Sequence, residues 1–175
     1  MEVFTAIRDF LETGGAVLWL ILGVAVLLWA LIIERLLYYR REYPALAEGI
    51  ITRWRQRSEF SSWQARRQRA ALVSEVNRTL KESIGLIKTI IALCPLLGLL
   101  GTVTGMVQVF DVMAVLGTGN ARAMAAGVSK ATLPTMAGMV VALSGLYFSS
   151  HFEQVVRRET EFLNDELGVH EENHG

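Results

Sequence analysis

The sequence predicts an all-α integral membrane protein with three transmembrane helices, the second and third long and extending into the cytoplasm, assembled as a homo-oligomeric ring. Three observations predict it. Residues 16–33, 90–109 and 131–150 are 18, 20 and 20 residues long and contain no Asp, Glu, Lys, Arg or His. About 20 apolar helical residues cross a bilayer core of roughly 30 Å. Apolar residues keep a helical period past the second and third of these segments, and the same two segments are lined with small residues. Composition agrees: 52% of the 175 residues are apolar and 19% charged, with mean hydropathy +0.36, which argues against a soluble fold. Seventeen basic and seventeen acidic residues cancel, so charge points to no nucleic acid, and a single cysteine excludes a disulfide framework or a Cys-based zinc cluster.

Taken in order, residues 1–15 place Val3, Phe4, Ile7, Phe10 and Leu11 at helical spacing, the pattern of an amphipathic leader on the outer interface. No basic n-region or small-residue cleavage site marks a cleaved signal peptide. The first span, 16–33, is bulky all round, as expected of an outermost, lipid-facing helix. The 34–89 stretch carries twelve basic residues against one, Arg8, in the leader. That bias puts the N-terminus outside and the long loop and tail inside. Tyr38, Tyr39 and Tyr43 stand where interfacial aromatics are expected. From about Trp63 the chain is helix-forming, and Leu72, Val76, Leu80, Ile84, Ile87 and Ile91 form one stripe running straight into the second span. This predicts one uninterrupted helix from cytoplasm through membrane. Residues 110–130 are expected as an outer loop, 131–150 as the third span, and 151–175 as its cytoplasmic continuation and tail, with Gly168 as the stop. The whole of 1–175 reads as a single membrane domain.

Lipid gives no hydrophobic drive for helices to associate, so close approach through small residues has to serve. Gly98, Gly101 and Gly105 provide this in the second span, and Gly138, Ala142 and Gly145 in the third, the latter at the 3.5-residue period of a left-handed pair. Contacts within one chain are the plain explanation. Three helices hardly use so much small surface, so assembly of several copies is expected instead. Hydroxyls are frequent too, Thr102, Thr104, Thr132, Thr135 and Ser144 among them, and each most often bonds its own helix one turn back. The spans hold no titratable group. A proton path needs a carboxylate or histidine at depth, so any such group must come from another chain.

Leu-Leu-Gly-Leu-Leu-Gly-Thr-Val-Thr-Gly at 96–105 and Gly-Val-Ser-Lys-Ala-Thr-Leu-Pro-Thr-Met-Ala-Gly at 127–138 resemble the paired motifs of the ExbB/TolQ/MotA proton-channel family, nearest to ExbB. The resemblance covers essentially the whole chain and is sharpest over 90–150. It implies a multi-pass bacterial inner-membrane protein, N-terminus periplasmic and C-terminus cytoplasmic, forming a pentamer around an ExbD-like partner. That partner's single helix supplies the titrating aspartate, and proton flow is coupled to a TonB-like protein and uptake across the outer membrane. It further implies that Thr102 and Thr135 line the pore, where a hydroxyl would solvate the ionised aspartate. Lys130 departs from the family, in which a glutamate is common at that place, so an acidic ring there is not expected. A TolQ-like role in envelope maintenance and a non-conducting scaffold are the alternatives.

Other signals are weaker. His170 to His174 spell His-Glu-x-x-His but lie in a polar tail without the buried helix a zinc site requires. The basic run from Arg53 to Arg69, with Trp54 and Trp63, suits anionic lipid better than nucleic acid. No catalytic triad and no phosphate loop is present, so no enzyme, cofactor or metal is expected.

Overall fold

The computed structural model describes residues 2–55, 63–116 and 121–172, and all of these except Glu42, Glu82 and Ser83 are helical. The helices are α1 (Glu2–Arg41), α2 (Tyr43–Arg55), α3 (Trp63–Lys81), α4 (Ile84–Leu116) and α5 (Ala121–Glu172). Among the described residues there is no strand, and three helical stretches are long and apolar enough to cross a membrane. Gly15 breaks α1 internally at φ 71°, a backbone that a side chain would strain, and so separates the leader from the first span.

The chain divides into two units, and all three long stretches contribute to both. One unit holds α1 as far as Ala30 together with Lys88–Leu146. In it α1 is not bulky and lipid-facing on every side. Leu18, Ile21 and Leu28 are buried at steps of three and seven, while Trp19, Leu22, Val26 and Trp29 stay exposed. Leu11, Leu18 and Ile21 cluster with Val17, and with Leu97 of α4 and Ala137 and Val141 of α5. The outward apolar side chains, Leu96, Leu99, Val103 and Val107 on α4 and Met136, Val140 and Leu143 on α5, form the kind of surface that only lipid or another protein covers.

The other unit holds Leu31–Ile87 and the chain from Tyr147 onward. Phe152, Val156, Leu163 and Leu167 of α5 are almost wholly buried at steps of four, seven and four. Trp54 of α2, Ala65 of α3 and Leu167 form one cluster, with Leu72 and Val73 packed on it. Trp54 is thus a core residue and not part of a basic surface patch. Arg69 donates from Nη2 to the Asn164 carbonyl at 2.5 Å and to its Oδ1 at 3.1 Å, tying α3 to α5.

Four expectations need correction. The helix leading into the second span is interrupted at Glu82 and Ser83, because side chains of α1 occupy the carbonyls that would continue it. Most of the expected outer loop is helical: α4 runs on to Leu116 and α5 already starts at Ala121, both through helix-forming residues without proline. Gly168 does not end α5, which continues to Glu172. The small-residue stripes are spent within one chain, as described next.

Candidate functional site

The seam between α4 and α5 is built almost without side chains. A Cβ added at Gly98 would stand 2.9 Å from the Pro134 carbonyl oxygen and from Thr135 Cα. At Gly138 it would meet the Cys94 carbonyl oxygen at 2.5 Å, and at Gly105 the Ala131 Cβ at 2.7 Å. One at Gly101 would collide with the ring of Pro134, and one at Gly145 would lie 2.7 Å from Ile91 and 2.9 Å from Leu28. Ala142 is buried on the same stripe. Gly98, Gly101, Gly105, Gly138 and Gly145 each lie where α5 meets α4 within the protomer, and Gly101 and Gly145 also face α1, through Val17 and Leu28. Three helices use this surface after all, since each glycine receives backbone, a proline ring or a branched side chain.

This closeness positions the threonines. Thr102 and Thr135, 33 residues apart in sequence, are half-buried and share a hydrogen bond between their Oγ1 atoms. Both hydroxyls also lie within reach of one acceptor, the Gly98 carbonyl, Thr102 at 3.3 Å within its own helix and Thr135 at 3.0 Å across the seam, so that one donates to the carbonyl and the other to its neighbour's oxygen. Residue counting from the span ends leaves the two about a turn apart in depth, and the structure places them level. The absence of a side chain at Gly98 is what lets Thr135 reach its carbonyl.

The proton count matters here. Each threonine has one O–H, and the Gly98 carbonyl and the Thr102–Thr135 contact together accept both. What the pair still offers outward is oxygen lone pairs.

Other hydroxyls take the ordinary course. Thr104 donates to the Leu100 and Gly101 carbonyls, Thr132 to Ser129, and Ser144 to Val141, each within its own helix. Lys130 is exposed on α5, directly before Ala131. The histidine pattern at the tail ends outside the described residues, and among the described residues no group of three or more His, Cys, Asp or Glu could hold a metal ion.

A second constellation escaped the sequence reading. Arg35, counted there only as positive-inside charge, is 4% exposed. Its guanidinium donates to the Thr79 carbonyl at 2.5 Å, to the Leu80 carbonyl, and to Tyr39 Oη at 3.3 Å. It also lies 4.8 and 5.0 Å from the ring centroids of Tyr38 and Tyr39. Tyr39 Oη donates to the Leu80 carbonyl at 2.9 Å, and its ring meets Phe152 edge-on at 5.5 Å. Burial raises the Tyr39 hydroxyl pKa above the usual tyrosine value, with the nearby Arg35 charge opposing the shift. The only advance signal is weak: an Arg and a Tyr at i and i+4 just past a span, on one helix face.

A level pair of hydroxyls on two tightly joined membrane-crossing helices, in spans 90–109 and 131–150 that hold no acid, defines the class: a multi-pass helical membrane protein. Residues 43–165 match the MotA/TolQ/ExbB proton channel family, and the chain belongs to that family. Over 91 residues it is 36% identical to a Synechocystis protein described as biopolymer transport protein ExbB-like 3, a match covering 51% of this chain and 43% of that protein. Over 64 residues it is 48% identical to one described as biopolymer transport protein ExbB-like 1 from the same organism, covering 35% and 25%. The chain thus spans less than half the length of the curated relatives it matches. No solved structure matches it.

Proposed function

We propose that this chain is the channel-forming subunit of a proton-driven machine in the bacterial inner membrane, with its N-terminus periplasmic and its C-terminus cytoplasmic. In this reading several copies, five by resemblance, surround an ExbD-like partner whose aspartate carries the proton, and the work is delivered to a TonB-like protein. The observation that carries the reading is the Thr102–Thr135–Gly98 cluster in a chain whose spans hold no acid. The ExbB-like description of the two relatives favours the TonB-coupled role over a TolQ-like one.

The proton count gives the threonines a role beyond the one expected from sequence. At rest both hydroxyl protons are held inside the cluster, so the outward lone pairs accept a hydrogen bond from a protonated, neutral carboxylic acid. When the acid ionises, one hydroxyl turns from the Gly98 carbonyl and donates to the carboxylate, lowering the cost of charge in a low-dielectric site. Neither threonine releases its own proton. Loading and discharge are thereby tied to the rotation of one O–H bond.

The test is proton flux into liposomes holding this chain with a co-expressed ExbD-like partner. Flux is expected only with both proteins present, and it should fall at least about tenfold with Thr102→Val and Thr135→Val combined, the effect of losing about 1.4 kcal/mol of charge stabilisation. Unchanged flux in the double variant removes the threonines from the path. Absence of flux in every preparation, with the complex intact by native mass spectrometry, makes the chain a scaffold.

A further inference from the structure

Between α3 and α4 the helix stops for two residues inside a stripe of unbroken period, and Ser83, a residue type suited to cap a helix, stands directly before α4. The stripe from Leu72 to Ile91 is continuous in period, and no proline or glycine lies between Leu72 and Ser83. In an unbroken helix the Ser83 and Ile84 N–H groups would bond the Thr79 and Leu80 carbonyls. Here Arg35 takes both carbonyls and Tyr39 takes the second as well. The Glu82 N–H folds back on the Thr79 carbonyl at 3.4 Å, and the ladder resumes with the Ile87 N–H on Ser83 at 3.1 Å. The carbonyls at the end of α3, outside the helical ladder, carry the negative end of its dipole, so a guanidinium is the favoured cap.

We propose that the Glu82–Ser83 break is a two-state joint: Arg35 and Tyr39 of α1 hold it open by taking the Thr79 and Leu80 carbonyls, and when they withdraw α3 and α4 close into one helix. Both states satisfy the same two acceptors, the condition for states of similar free energy. The hydrogen bonds that hold Arg35 are to two carbonyls and a phenol, with two aromatic faces against its plane. These are dipoles and ring quadrupoles rather than a carboxylate, so releasing the guanidinium breaks no ion pair among these contacts. The position of α1 past Ala30 is converted in this way into the continuity of a neighbouring helix, an on–off property. The inference does not depend on what the protein transports.

Residue-resolved amide hydrogen exchange on the full chain in nanodiscs tests it. In Arg35→Met the Ser83 and Ile84 amides gain helical partners, and their exchange should slow by roughly two- to tenfold, the protection one net hydrogen bond gives. A cap with no alternative state would give the reverse, faster exchange as the helix ends fray. The pair Glu82→Ala and Ser83→Ala, which leaves Arg35 in place and raises helix propensity, should slow the same amides. Exchange at Ser83 and Ile84 that is unchanged or faster in the alanine pair overturns the proposal. So does faster exchange in folded Arg35→Met. If Arg35→Met fails to fold, the alanine pair decides alone.

Discussion

Helices meet in two different ways in this protein. At the α4–α5 seam the contact is backbone against backbone, with glycine or alanine at each crossing and two hydroxyls within reach of one carbonyl. Around Arg35 the contact is made by the largest side chains available, a guanidinium between two tyrosines and a phenylalanine edge. In lipid, burying apolar bulk gains nothing over leaving it in the acyl chains, so contact comes from closeness. Beyond the apolar segments, bulk is the gain, about 1.5–3 kcal/mol for a side chain such as Leu163 or Phe152. The seam leaves no room for error, whereas the Arg35 cluster rests on hydrogen bonds that can be exchanged.

The sharpest way to break the seam is Gly138→Leu. Its Cβ would meet the Cys94 carbonyl, which belongs to a helix backbone and cannot step aside. Folded protomer should be lost, at a cost of about 3 kcal/mol or more. Detergent-solubilised thermal unfolding of the monomeric species measures this, and an unaltered midpoint would separate the seam from stability. Next in size is the paired threonine to valine change. It should cost about 1–2 kcal/mol of folded stability, as interhelical hydrogen bonds in membranes do, while abolishing most partner-dependent flux. Equal loss of both would make the cluster purely structural.

Tyr39→Phe removes a hydroxyl that donates to Leu80 and accepts from Arg35, and should destabilise by about 1 kcal/mol. Tyr43 is the smallest effect and of opposite sign. Its hydroxyl is buried without a hydrogen-bond partner, and Tyr43→Phe should be neutral or stabilising by up to about 1 kcal/mol. Burial, and then the Glu159 carboxylate nearby, push the Tyr43 pKa far above its ordinary value of 10.0. The unfolded chain therefore releases this proton first. Its contribution is complete below pH 10 and lost as pH rises above it. Alkaline unfolding should start at higher pH in Tyr43→Phe, and a midpoint identical to wild type would show that Tyr43 does not set it.

What the sequence made legible follows the range of the forces involved. The three apolar segments, the long period through α5 and the small-residue stripes are local patterns, and each has its helix in the structure. The threonine pair was found through its motifs, but the level placement of the two depends on Gly98 opposite Thr135, which no spacing within one helix encodes. The stripes said that backbones touch without saying whose. The joint was invisible for the same reason. Lys81, Glu82 and Ser83 follow the carbonyls of Thr79 and Leu80, and the guanidinium that takes those carbonyls sits 44 and 45 positions before them. Arg35 carried a topological meaning in sequence that hid a structural one.

The residues of the seam also have almost no internal rotations to lose. Glycine and alanine surrender no side-chain rotamers on folding, so α4 and α5 are held together at nearly zero side-chain entropy cost. A contact surface without rotamers has no fast side-chain fluctuations to pass to its neighbours. The hydroxyls of Thr102 and Thr135 therefore sit in a quiet background, moved by whole-helix displacement and by their own C–O rotation. Picosecond methyl relaxation should report Ala142 as among the stillest side chains in the membrane-crossing part of the molecule.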